Sequence, residues 1–263
     1  MRFPQNLVTL LFLSTSISAQ STDLDKKLFD ALCKGNTAGI QMLLDQGAHI
    51  NARESPGGAT PLMQASGCTD LPTVKLLLEK GADVNANETG EESPLTEALT
   101  GLSTTLDPDA VTETVRTLID RGANIQFVGL RGTTPLMRAA NADVLVPSLN
   151  LLLAKGAQLE ARDNFGDTAL ALSANASQPG AMSALLAHGA QVNTRNNKGV
   201  TPLMIAARTG NLQTVKLLLT HGADPNLKDN TGKTAADYAR TERDLSPAAK
   251  TRVLTLLRAN RPK

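Results

Sequence analysis

The sequence predicts an all-α solenoid of about seven helix-turn-helix units with β-hairpin-like loops, and three observations carry that prediction. Gly-Ala recurs at 47–48, 81–82, 122–123, 156–157, 189–190 and 222–223, with gaps of 34, 41, 34, 33 and 33 residues. A second series keeps the same period: Thr60-Pro61-Leu62, Ser93-Pro94-Leu95, Thr134-Pro135-Leu136 and Thr201-Pro202-Leu203, with weaker copies at Thr168-Ala169-Leu170 and Thr234-Ala235-Ala236. Hydrophobic residues make up 41% of the 263-residue chain but aromatics only 2%, so the interior must be filled by aliphatic side chains, which suits thin repeated layers.

The first element is a targeting segment at residues 1–19. Arg2 supplies a short positive start, Leu7–Leu13 an apolar run, and Ser14–Ala19 a small-residue stretch ending in Ala. This pattern predicts a secretory signal cleaved after Ala19, because the run is far shorter than the ~20 residues needed to span a bilayer. The remainder, 20–263, reads as a single domain with units near 24–57, 58–90, 91–131, 132–164, 165–198, 199–231 and 232–263. Within a unit, Thr or Ser caps the first helix and Pro takes its first position, where a missing N–H costs nothing. Small residues such as Ala139-Ala140 and Ala206-Ala207 let helices approach. After a short turn comes a second helix with apolar runs at Leu76–Leu78, Leu151–Leu153 and Leu217–Leu219. It closes on Lys80, Arg121, Lys155, His188 or His221, a cation suited to a helix C-terminus, before a Gly suited to the left-handed position that follows. Such a unit buries its apolar faces only by stacking on neighbours. Extra residues at Gly101–Asp109 and Asp143–Pro147 fall between the two helices of their units. They read either as tolerated loop drift or as a second contact site.

Thr201–Ala207 (TPLMIAA), Val215–Leu219 (VKLLL) and Gly81–Asn85 (GADVN) resemble ankyrin repeats, over roughly residues 24–260. The resemblance implies a protein-interaction module whose partner docks on a concave face lined by the hairpin tips and the exposed ends of the first helices. The His usual after Thr-Pro-Leu is replaced by Met63, Thr96, Met137, Ala171 and Met204. That exchange predicts loss of a polar tie between repeats in favour of adaptable apolar packing.

No catalytic constellation is present. The chain lacks G-x-S-x-G, H-E-x-x-H and paired-Cys zinc spacing, so no enzyme activity, cofactor or metal is expected. Gly232-Lys233-Thr234 resembles the end of a phosphate loop, but the first Gly that motif requires would fall at Leu227. Lys and Arg total 26 against 25 Asp and Glu, which argues against a nucleic-acid binder. The expected partner is another protein, with no membrane insertion and a monomer when unbound. Cys33 and Cys68 sit near equivalent places in the first two units, and the spacing leaves open a disulfide or two separate thiols.

By register, the expected partner-binding residues are Val128, Leu130, Arg131, Asn141, Phe165, Asn175, Lys198, Val200, Arg208 and Lys233. Val128, Leu130 and Phe165 place apolar side chains on central tips where charged or amide residues stand elsewhere. Early tips are acidic (Glu54, Glu88, Glu91, Glu92) and late ones basic (Arg195, Lys198, Arg208, Lys228, Lys233), a polarity that would orient a complementary partner. Gly129 replaces the turn residue found as Asp163, Asn196 and Asp229, predicting a looser finger there. The leading expectation is an exported, periplasmic, non-enzymatic binding module of bacterial type. Two alternatives are an inhibitor or immunity protein against a toxic exported enzyme, and a secreted effector acting in a host cell.

Overall fold

The computed structural model describes residues 23–55, 58–90, 92–100 and 107–260. The expected export signal, Glu91 and the first six residues of the Gly101–Asp109 stretch lie outside the described residues. Contacts divide the chain into two compact units: residues 1–105 with 113–123, and residues 106–112 with 124–263.

The first unit contains α1 (residues 23–31), α2 (Thr37–Asp45), α3 (Pro61–Gly67), α4 (Leu71–Glu79), α5 (Pro94–Thr100) and the larger part of α6 (Pro108–Asp120). In it α3 packs on α4 and α5, and α2 on α4. The second unit continues with α7 (Pro135–Ala139), α8 (Val146–Ala154), α9 (Ala169–Asn175), α10 (Pro179–Ala187), α11 (Pro202–Thr209), α12 (Leu212–Thr220), α13 (Ala235–Thr241) and α14 (Pro247–Ala259). The first helices α7, α9, α11 and α13 stack in order as one layer, and the second helices α8, α10, α12 and α14 form another behind them. Between the layers lie Leu136, Leu149, Leu152, Leu170, Leu185, Leu203, Val215, Leu218, Val253 and Leu257, each almost inaccessible. Each such aliphatic side chain contributes about 1.5 to 3 kcal/mol on leaving water.

The two sequence series have definite structural causes. Thr201 is extended and its Oγ1 accepts from the Met204 amide at 3.3 Å, with Pro202 at the first helical position; Thr60 and Thr134 do the same for Met63 and Met137, and Thr168, followed by Ala169, accepts from Ala171 at 3.4 Å. The methionines do more than fill space. The Thr134 and Thr201 N–H groups each donate to a buried sulfur, Met137 Sδ or Met204 Sδ, at 3.4 Å. Thr96 Oγ1 and Asp237 Oδ2 take that place for the amides of Ser93 and Thr234. Within the units of Met137 and Met204 a reciprocal capping bond is therefore made with sulfur as the weaker acceptor.

Gly-Ala closes each second helix from α2 to α12. At α12 the Gly222 N–H donates to Leu219 O and the Ala223 N–H to Leu218 O, while Gly222 takes φ +85°. The same pair of bonds recurs at Gly47-Ala48, Gly81-Ala82, Gly122-Ala123, Gly156-Ala157 and Gly189-Ala190. This is the Schellman closure, in which the left-handed residue is nearly free for Gly; the Ala after it is buried in each copy except Ala190, which is half-buried.

Among the described residues there is no strand. The expected hairpin-like loops carry one isolated antiparallel bridge, Glu88 to Glu92. The extra residue near Asp143–Pro147 forms a 3-10 turn, Asp143–Leu145, whose Leu145 is buried. Asp143 Oδ1 accepts from the Ala181 N–H at 2.8 Å and so caps α10 of the next repeat, whose own Gln178 supplies no cap bond. That edge does structural work. In the first unit Cys33 and Cys68 are joined as a disulfide, with Cα atoms 5.6 Å apart.

Candidate functional site

In the second unit the loops between repeats form fingers around residues 128–133, 162–167, 195–200 and 228–233. Each of the last three is held by the same chemistry. A carboxylate or amide at the turn accepts two amides of its own finger: Asp163 Oδ1 takes Phe165 N–H and Asp167 N–H at 2.9 Å, Asn196 Oδ1 takes Lys198 and Val200 at 3.0 Å, and Asp229 Oδ1 takes Thr231 and Lys233 at 2.8 and 2.9 Å. The next residue is Asn, and it ties the finger to the one before. Asn164 N–H donates to Arg131 O and its Nδ2 to Leu130 O. Asn197 reaches Phe165 O and Asn164 O, and Asn230 reaches Lys198 O and Asn197 O, all at 2.9–3.1 Å. Arg162 and Arg195 reach the other way, to Arg195 O at 2.7 Å and Lys228 O at 2.8 Å. A Cβ on Gly166 would stand 2.5 Å from Asn197 Oδ1 and 2.8 Å from its backbone nitrogen, so Gly at φ +80° is what this approach requires.

The finger at 128–132 lacks all three devices. Val128 stands where Arg162 and Arg195 stand, Gly129 where Asp163, Asn196 and Asp229 stand, and Leu130 where Asn164, Asn197 and Asn230 stand. Its turn is closed by backbone bonds, Gly132 N–H to Gly129 O at 2.8 Å and Gly129 N–H to Thr133 O at 3.0 Å. Val128 and Leu130 are 60% exposed.

Register separates the expected site residues into rows. Arg131, Phe165, Lys198 and Thr231 are equivalent and all exposed, Phe165 at 63%. Asn141, Asn175 and Arg208 are equivalent at the ends of the first helices and also exposed, and Arg208 donates to Asn175 Oδ1 at 2.8 Å. Lys233 is exposed on the last finger. Val128 and Leu130 belong to other rows than Phe165, although Asn164 binds the Leu130 and Arg131 carbonyls beside it. Val200 requires a correction. Its side chain is only 9% accessible, because an apolar β-branched residue at the finger base, next to the buried cap Thr201, is drawn out of water.

Sequence reasoning missed one row. Arg138, Leu172, Ile205 and Tyr238 follow the capping position in successive units, and Tyr238 shows that this position faces its finger: its hydroxyl donates to Asp229 Oδ2 at 2.8 Å. Arg138, Leu172 and Tyr238 are partly exposed, while Ile205 is buried. The available signal was variability of type at a fixed register inside an otherwise uniform helix.

Electrostatics follows from these bonds. Burial opposes ionisation of Asp229, but the Lys233 and Thr231 amides and the Tyr238 and Thr231 hydroxyls hold its carboxyl well below the usual range. Burial and that same carboxylate push the Tyr238 phenol up to about 12. Asp167 is raised by burial, against the donor Asn196 Nδ2 at 2.9 Å. Lys233 N–H is committed to Asp229, so Gly232-Lys233-Thr234 is a finger turn and a helix cap. Among the described residues no helix is long and apolar enough to cross a membrane.

Comparison with known proteins agrees with this geometry. The profile described as ankyrin repeats (three copies) matches residues 4–101, 143–229 and 184–244. No curated protein matches the sequence significantly. Among solved structures, the crystal structure of the human ASB11 ankyrin repeat domain superposes with a TM-score of 0.76 at 24% identity, covering 90% of this chain and 98% of that one. The architecture is an all-α ankyrin-repeat solenoid: the repeat spacing predicted the stacked helical units, and the motif resemblance implied the family.

Proposed function

The chain belongs to the ankyrin-repeat family, whose members are protein–protein interaction modules, and from that premise we propose that it is an exported, non-enzymatic module that binds a partner protein on the concave face of its second unit. The observation carrying this reading is the row Arg131, Phe165, Lys198 beside Arg208. The surrounding finger residues are consumed in holding repeats together, yet these side chains are exposed, and Phe165 keeps 63% of its surface in water. A large apolar side chain ringed by charge is the composition of a contact centre. Export, with the periplasm as destination, is supported by the Arg2, Leu7–Leu13 and Ala19 pattern and by a disulfide suited to an oxidising compartment.

The test is capture from an extract of the source cell on immobilised native protein, on a Phe165→Ala/Arg208→Ala variant, and on a Lys216→Ala variant of the exposed side of α12. A partner kept by the native and Lys216→Ala proteins and lost on the double variant supports the reading. A partner kept by all three refutes the assignment of this face. Its identity separates an inhibitor or immunity role, which requires one exported enzyme, from a host-directed effector role.

A further inference from the structure

Charge divides along the chain far more sharply than its net charge of +1 suggests. Residues 23–123 carry 8 Lys and Arg against 16 Asp and Glu, whereas residues 124–263 carry 17 against 9. Several of those nine carboxylates are spent inside the fold. Asp143 caps α10, Asp163 and Asp229 close finger turns, Asp167 accepts from Asn196, and Asp237 takes Thr234 and Arg240. Arg162, Arg195 and Arg240 are also engaged within the fold, but four exposed cations are not spent on carboxylates. Arg131, Lys198, Arg208 and Lys233 form no ion pair among the described residues, and Arg208 is held by the neutral Asn175. Arg131, Lys198 and Lys233 stand on three fingers and Arg208 at the end of α11, with stacked repeats about 10 Å apart; Phe165 is exposed on the finger between Arg131 and Lys198, and Leu172 is partly exposed.

We infer that the occupant of this face is an acidic polypeptide segment bearing one large apolar side chain that seats against Phe165. The inference rests on the reading of this face as the partner site and adds the chemistry of the partner. Exposed cations that form no ion pair within the fold call for carboxylates on the partner, even where Lys198 also feels the charge of Asp167. An extended chain rises about 3.3 Å per residue, so a stretch of about ten residues spans the fingers from Arg131 to Lys233. Nucleic acid fits less well. Single-strand platforms stack successive bases on several aromatics, and this face offers Phe165 with Tyr238 tied to Asp229. A second copy offering its acidic half is the rival occupant, and self-association of the protein alone would reveal it.

The probes are labelled synthetic peptides of about twelve residues: one acidic with a central Leu-Phe pair, the same peptide with Ser-Ser at that pair, one with Lys in place of every acid, and a single-stranded oligonucleotide of similar length. Binding is followed by fluorescence anisotropy at about 50 and about 300 mM salt. The expected result is tightest binding of the acidic Leu-Phe peptide, weakening with salt, lowered about tenfold by Phe165→Ala and more than tenfold by Lys198→Glu/Lys233→Glu, both variants keeping the native circular dichroism. Equal binding of the Lys peptide, indifference to both variants, or tighter binding of the oligonucleotide overturns the inference. Salt-sensitive self-association of the protein alone, abolished by Lys198→Glu/Lys233→Glu, also overturns it by making a second copy the occupant. If the acidic probe fails while a cellular partner is still lost on Phe165→Ala/Arg208→Ala, the face stands and the partner chemistry falls; if that partner is also retained, both fall.

Discussion

Asp229 binds two amides and a hydroxyl through one oxygen and the Tyr238 hydroxyl through the other. Removing a buried acceptor leaves its donors unmet, so Asp229→Ala should cost about 1 to 3 kcal/mol in urea unfolding, and Asp229→Asn clearly less, because Asn196 already fills the equivalent role. The depressed carboxyl sets a pH dependence. A group whose folded value lies below its unfolded value stabilises the fold above about pH 4 and loses that contribution as pH falls toward the folded value. Asp237 acts in the same sense, held down by the Thr234 hydroxyl and amide. Asp167, raised by burial, acts in the opposite sense and is relieved by acid. The native protein should therefore lose stability steeply below about pH 4, and Asp229→Asn should flatten that loss; an unchanged slope would show that Asp229 is not the group responsible. Phe165 contributes nothing of this kind to the fold. Phe165→Ala should leave the melting temperature unmoved and weaken partner binding by about 1 to 2 kcal/mol, measured by calorimetry.

The finger is the element in which holding the stack and presenting a surface are separated. Its residues at the Asp163, Asn164 and Gly166 positions hold, and its residue at the Phe165 position presents. Most of this was legible as a recurring pentapeptide: Arg162-Asp163-Asn164-Phe165-Gly166, Arg195-Asn196-Asn197-Lys198-Gly199 and Lys228-Asp229-Asn230-Thr231-Gly232. Spacing and helix caps are local, so Thr-Pro-Leu and Gly-Ala gave helix starts and ends directly. What spacing could not give is which side of a finger a residue faces. Val200 and Lys233 share a register position, yet one is buried and the other exposed, because the apolar side chain gains by leaving water and the ammonium does not. The Met sulfurs at Thr134 and Thr201 were missed because sulfur reads as apolar in a sequence. Two substitutions test the element. Gly129→Asp supplies the acceptor this finger lacks and should raise stability by about 0.5 to 1 kcal/mol. Gly166→Ala forces a Cβ into Asn197 at a left-handed φ and should lower it by about 1 to 3 kcal/mol. Thermal melts of both decide whether the hydrogen-bond ladder is the fastening it is described to be.

Across the whole molecule, the disulfide and the export reading belong together. The bond closes a span of 35 residues, for which chain entropy allows about 3 to 4 kcal/mol. Reduction, or Cys33→Ser with Cys68→Ser, should lower the unfolding midpoint, and protein recovered from the exporting cell should begin at or next to Gln20 and carry no reactive thiol. Intact Met1 on cytoplasmic protein with two free thiols would contradict this reading. The division of charge about residue 123 was present in the sequence, but the even total of Lys and Arg against Asp and Glu concealed it. Its meaning came only when the bonds consuming Asp143, Asp163 and Asp229 were seen.

The central claim is that the fingers and first helices of the second unit carry the partner. Hydrogen exchange of the captured complex against the free protein tests it most directly. The account predicts slowed exchange at amides within 129–133, 163–167 and 196–200 and at the ends of α9 and α11, with α10 and α12 unchanged. Protection confined to α8, α10 and α12, or to the Asp143–Pro147 edge, would contradict it.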